Sequence, residues 1–362
     1  MDRGTWTLIV ALTAAGCQEV VPETEDACLA ESCVQEPGPP PDPALLVLDP
    51  VVMNDPAFSL QAMHDRLAED GNGSALFEQW ADTLAEPLVL NQQVADPRPG
   101  FTAFAASIPK NAAGFADLDR AGFLPSALVN RVDLRTPGNC GESRVVYTKA
   151  SGLRDGGNRM TIIFEFGVPD DGAGCRTAAQ KWAALRGLEG DALRRAAVAL
   201  MLESSQREQL DQMRTNDFIA AIFWELREFH LVDGALEPSP VADTPAFAAA
   251  TEPAFRQFVV ANASRFDPDA RETGILPPEM LAPASLADGT RLDIDDLVPS
   301  IPDLEANVNM ITCSGCHLTE TAAAFVHVAE RPVDAPSTLS LFMTDELELR
   351  AGEFEAVLGP ND

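Results

Sequence analysis

Four histidines in 362 residues leave little material for catalytic triads or multi-histidine metal sites. The chain also lacks a glycine loop that would cradle phosphate, a nucleophile elbow around serine and a zinc-protease helix motif, so hydrolase chemistry has no visible candidate. Positive charge is short as well. Lys and Arg total 25 against 56 Asp and Glu, a net charge of −31, and the pI is near 4.3. That balance argues against nucleic acid and anionic headgroups as partners; it suits a basic redox partner, or simply solubility. No internal repeat is present, and no apolar run approaches the ~20 residues that span a bilayer.

What is present is enough apolar material, 46% of residues, to bury one large or two ordinary domains. The chain opens MDRGTWTLIVALTAAGCQE, with Arg3, an apolar run from Trp6 to Ala15, and then Cys17. This resembles a bacterial lipoprotein signal, which implies removal of residues 1–16, acylation of Cys17, and export to a lipid-anchored position. Gln18 after that cysteine points to the outer membrane, on either its periplasmic or its surface side. Residues 17–43 are acidic and proline-rich and read as a tether, because they hold too little apolar area to fold alone. Of the seven cysteines, six remain once Cys17 is set aside. Candidate disulfides are Cys28 with Cys33, Cys140 with Cys175, and Cys313 with Cys316, although order alone does not fix the pairing.

The body, 44–302, reads as α+β. LVNRVDLR, ESRVVYTK and RMTIIFEF are short, β-branched and separated by turn-forming TPGNCG and SGLRDGGN, which predicts neighbouring strands of an antiparallel sheet. Around this sheet the remainder is predicted to be predominantly helical. Expected helices include one capped by Asp55, with His64 exposed or half-packed on it, one at SALFEQWADTLA, and two after Pro169. A long one is expected over 207–234, where Phe218, Ile222, Leu226 and Phe229 recur every three or four residues before Gly234. Strand alternation gathers Arg131, Asp133, Arg135, Glu142, Arg144 and Glu165 into a charged surface. It reads either as a pocket in which Arg131, Arg135 and Arg144 hold a carboxylate or phosphate, or as a solvated face of paired charges. FDPDARETG and DGTRLDIDD cluster carboxylates without the oxygen spacing of a calcium loop.

The C-terminal segment, 303–362, is expected to be helical, with a last helix capped by Thr344, and to pack on the body. It carries CSGCH at Cys313 to His317. Two cysteines separated by two residues and followed by histidine form the attachment signature of a c-type haem. At these residues the chain resembles c-type cytochromes. The resemblance implies one covalent haem c on Cys313 and Cys316, His317 as proximal iron ligand, and electron transfer rather than enzymatic turnover. Met343 is the first choice for the sixth ligand, His327 and Met310 the others. Only Leu318 to Asp362 follow the motif, so the upstream body must supply much of any haem pocket. The alternative is a non-enzymatic structural or binding surface lipoprotein in which Cys313 and Cys316 form a disulfide. The whole-chain pattern of lipobox, acidic tether, NRVDLR, CGE, FWELREF and CSGCH also looks like a group of exported bacterial lipoproteins, a likeness that implies no activity.

Overall fold

Alternating β-branched and aromatic residues in the middle of the chain build the sheet on which everything else rests. The computed structural model describes residues 40–91, 93–149, 159–170, 172–218, 224–246, 252–266, 274–287, 291–294, 303–312, 315 and 327–359. In chain order the elements are β1 (Leu46–Val47), α1 (Pro50–Met53), α2 (Leu60–Leu67), α3 (Gly73–Thr83), β2 (Leu88–Leu90), β3 (Gln93–Ala95) and α4 (Pro99–Ser107). Next come β4 (Leu124–Arg131), β5 (Asn139–Lys149), β6 (Met160–Pro169), α5 (Arg176–Ala183) and α6 (Gly190–Ser204). They are followed by β7 (Leu210–Phe218), β8 (Trp224–Val232), β9 (Ala235–Ser239), α7 (Pro253–Ala261), β10 (Ser285–Ala287), α8 (Leu304–Met310) and α9 (Leu341–Leu358). The fold is α+β. Among the described residues one antiparallel sheet runs β1-β4-β5-β6-β7-β8-β10, with β9 on the second half of β8, and β2 and β3 make a separate hairpin.

Register explains the two faces. Val145 opposes Phe164 and Arg144 opposes Glu165, so one face carries large apolar side chains and the other carries charge. Tyr147, Ile162, Phe164, Met213 and Phe229 from the apolar face share the main core with Met63 and Leu67 of α2, Phe77 and Trp80 of α3, and Met201 of α6. Trp80 meets Phe229 edge-on at 5.8 Å between ring centroids, tying α3 to β8. A second, smaller core gathers Phe255 and Val259 of α7, Ile275, Leu276, Leu292, Ile294, and Leu304 and Val308 of α8. It therefore joins residues on both sides of position 302.

Several sequence expectations need correction. The run from Arg207 to Gly234 is not one long helix: its described residues form a 3₁₀ turn at Arg207–Gln209, then β7 and β8, with Arg214 opposite Glu228 and Thr215 opposite Arg227. Asp233 and Gly234, at φ +48° and +86°, make the two-residue turn from β8 into β9. Ahead of these elements β1 is confined to Leu46 and Val47, after which Asp49 caps α1 with Pro50 in its first turn. Asp55 caps a 3₁₀ turn at Pro56–Phe58, whereas α2 itself starts from Ser59, whose Oγ accepts from Ala62 N at 3.1 Å. Likewise α9 is capped by Ser340, not Thr344, and ends at Gly359.

Candidate functional site

The charged face of the sheet is where chemistry-bearing side chains converge. A cavity of about 430 Å³ lies over it, within the range of small-molecule sites. Arg131, Arg144, Glu165 and Arg214 line it from β4 to β7. Met310 and Ile311, at the end of α8, line another side, two residues before Cys313. His327 and, from α9, Met343, Glu346 and Arg350 also line it.

The cross-strand ionic network expected from alternation is present. Arg144 Nε donates to Glu142 Oε2 at 2.7 Å and its Nη2 lies 3.2 Å from Glu165 Oε2. Arg214 bridges Glu165, at 3.5 Å, and Glu228, at 3.0 Å, while Gln212 Nε2 donates to Glu165 at 2.7 Å. Burial opposes the charge on Arg214, yet Glu165 and Glu228 outweigh it and hold the guanidinium more firmly protonated than usual. Glu142 follows the same logic. Burial would raise its pKa, but Arg144 and Arg131 carry it below the ordinary carboxylate range. Arg131 Nη2 donates to Asp133 at 2.8 Å. Arg135 departs from expectation: it reaches out to Glu353 on α9 at 2.8 Å, with 36% of its side chain exposed, and does not line the cavity.

Arg350, which sequence reasoning passed over, differs from Arg131, Arg144 and Arg214. It is 5% exposed, and neither Nε nor Nη1 has a hydrogen-bond partner. Its Nε lies 3.3 Å from Glu346 and 3.8 Å from Asp133, ion pairs without hydrogen-bond geometry. Burial first, then the like charge of Arg131, lowers its pKa to about 9. Its position was signalled by Met343, Leu347, Arg350, Phe354 and Leu358, a buried stripe at helical spacing interrupted by one cation. Glu165 Oε1 and Asn216 Oδ1, also in the cavity wall, are buried acceptors without donors.

The proposed sixth ligands sit together. His327 Nδ1 is 2.9 Å from Ser340 Oγ, and its ring leans on Phe342 at 5.0 Å. Burial, then Arg350 and Arg131, lowers its pKa to about 4, so the imidazole is neutral near pH 7. Met343 is buried in the first turn of α9, where its N–H donates to the same Ser340 Oγ at 3.1 Å. Within CSGCH only Gly315 is described. It is buried, its N–H donates to Thr312 Oγ1 at 3.0 Å, and a Cβ there would stand 1.9 Å from Asn309 O. Cys313, Cys316 and His317 lie outside the described residues, as do Cys17, Cys28 and Cys33, the signal segment, and most of the tether. FDPDARETG and DGTRLDIDD fall largely outside them too.

Cys140 and Cys175 form a disulfide that ties the start of β5 to the residue before α5. His64 is fully buried rather than exposed: Nδ1 is 3.0 Å from Leu60 O, and burial lowers its pKa to about 4. His230 projects from β8 and meets Glu228 at 3.0 Å. No helix among the described residues is long and apolar enough to cross a membrane. Comparison with protein-family models, with curated proteins and with solved structures finds no match for this chain.

Proposed function

We propose that this is an exported, lipid-anchored binding protein without enzymatic turnover, organised around the cavity on the charged sheet face, and that its ligand is one haem c serving electron transfer. The observation that carries the reading is convergence: Met310 and Ile311, immediately upstream of CSGCH, line the same cavity as His327 and Met343. The residues fit the group. Cys313 and Cys316 would hold the haem covalently, with His317 on the iron and a second donor from Met343 or His327. Val129, Val146, Ile163 and Phe342 offer apolar walls, and the arginines offer partners for carboxylates. The haem would supply one-electron chemistry, and the protein would fix its orientation and tune its potential by ligand and burial. The hydrogen bond between His327 Nδ1 and Ser340 supports a ligating role, because such bonds orient metal-bound imidazoles.

A second reading keeps the cavity and drops the haem: a disulfide-stabilised structural or binding lipoprotein in which Cys313 and Cys316 are bonded to each other. The Cys140–Cys175 disulfide favours it, since cysteines of this chain do pair. Intact mass of the protein made in a periplasm with haem-attachment machinery separates the two. Covalent haem that disappears when Cys313 and Cys316 are both replaced by serine supports the first. A mass lower by two hydrogens per cysteine pair, with no haem, supports the second.

A further inference from the structure

Arg131, Arg144 and Arg214 each donate hydrogen bonds to carboxylates, whereas Arg350 Nε and Nη1 make none, although Nε lies 3.3 Å from Glu346. A guanidinium buried to this degree with an unbonded Nη1 carries a desolvation cost that nothing in the wall offsets fully. Asp133, the nearest carboxylate besides Glu346, is already committed to Arg131 at 2.8 Å and stands 3.8 Å from Arg350. At Arg350 the wall therefore presents donors without an acceptor, next to a second arginine and inside a cavity whose other walls include Val129, Val146, Ile163 and Leu226. We propose that the cavity takes an apolar carboxylic acid, its carboxylate seated against the Arg350 guanidinium with Arg131 alongside.

A carboxylate suits the position better than a phosphate. Asp133 and Glu346 lie within 4 Å of Arg350 and Glu165 lines the same cavity, so a single negative charge is tolerated where a dianion would be repelled. The inference rests on the cavity being the ligand site, and two sources share its chemistry: a carboxylate carried by a bound haem, or a free apolar acid.

The test uses the full chain made without haem-attachment machinery, titrated by fluorescence with mesoporphyrin, a metal-free diacid, and with its dimethyl ester. Benzoate, followed by its effect on Tm, probes for a free acid. Wild type is expected to bind the diacid about tenfold more tightly than the ester, the loss of one charge-assisted hydrogen bond. Arg350→Gln should bring the two within about twofold, and Arg350→Lys should retain part of the preference. Should neither porphyrin bind, a Tm rise with benzoate that R350Q removes supports the free-acid source. Equal binding of diacid and ester, a preference or benzoate effect unchanged in R350Q, or no response to any probe overturns the proposal. The acid–ester comparison in wild type needs no variant to fold. Parallel production with attachment machinery separates the two claims. Covalent haem without acid preference sinks the carboxylate seat alone, and acid preference without covalent haem sinks the haem reading alone.

Discussion

Buried ionisable side chains give this protein its sharpest residue-level behaviour. Asp217 on β7 has its pKa pushed up to about 7, by burial foremost; Arg98, 3.6 Å away, pulls it down, and Glu225 pushes it up again. The unfolded chain releases that proton near 3.8, so between the two values the folded state alone retains it. This group's contribution to stability thus falls as pH rises from about 4 to about 7. Asp217→Asn should gain on wild type steadily across that window in urea unfolding measured at a series of pH values. A constant difference between the two proteins would contradict the assignment. His64 acts in the opposite sense. Held neutral with a pKa near 4 by burial, it withholds a proton that the unfolded chain accepts below about 6.5, so stability is lost as pH falls through that interval. A steric prediction stands beside these. Gly141 has φ +85° and its absent Cβ would meet Arg131 O at 2.1 Å, so Gly141→Ala should cost roughly 2 to 4 kcal/mol by denaturant unfolding.

At the scale of elements, strands and helices were unequally legible. β4, β5 and β6 stood out because alternation and turn residues agreed, and α3, α5 and α6 because apolar positions recur at helical spacing. β7 and β8 were hidden for a physical reason. Their charged residues are buried or half-buried and paired with one another, across strands as Arg214 with Glu228 and along β8 as Arg227 with Glu225, so polarity no longer marked the solvent side. The remaining apolar residues then imitated a helical stripe. Asp233–Gly234 carried the missed signal, a turn pair suited to positive φ at both positions. The hairpin and the helix make opposite predictions for Gly234→Ala. At φ +86° alanine should destabilise by about 1 kcal/mol, whereas in a helix it would stabilise by a similar amount. The change in urea midpoint gives the sign directly. The candidate site was half legible by the same logic. Arg131, Arg144 and Glu165 followed from alternation; Arg214 was lost with β7; and Arg350 belonged to α9, whose approach to the sheet depends on packing that local periodicity does not encode.

For the whole molecule, the disulfide and the cavity are the organising features. The Cys140–Cys175 bond spans 35 positions and locks β5 to α5, so replacing both cysteines with serine should lower stability by about 3 to 4 kcal/mol in the chain-entropy model. Unfolding with and without reductant checks this, and an unchanged midpoint would remove the bond from the account. On the cavity side, β4 to β8 supply a wall with apolar surface and arginines, and the second-ligand candidates His327 and Met343 come from the segment after CSGCH. The central claim, that this wall serves a covalent haem, is tested most directly by a visible spectrum and pyridine haemochrome assay on the mature protein made in a periplasm with haem-attachment machinery. The account predicts a sharp reduced α-band that persists after denaturation and is lost when Cys313 and Cys316 are replaced. A colourless protein with Cys313 and Cys316 joined in a disulfide would contradict it.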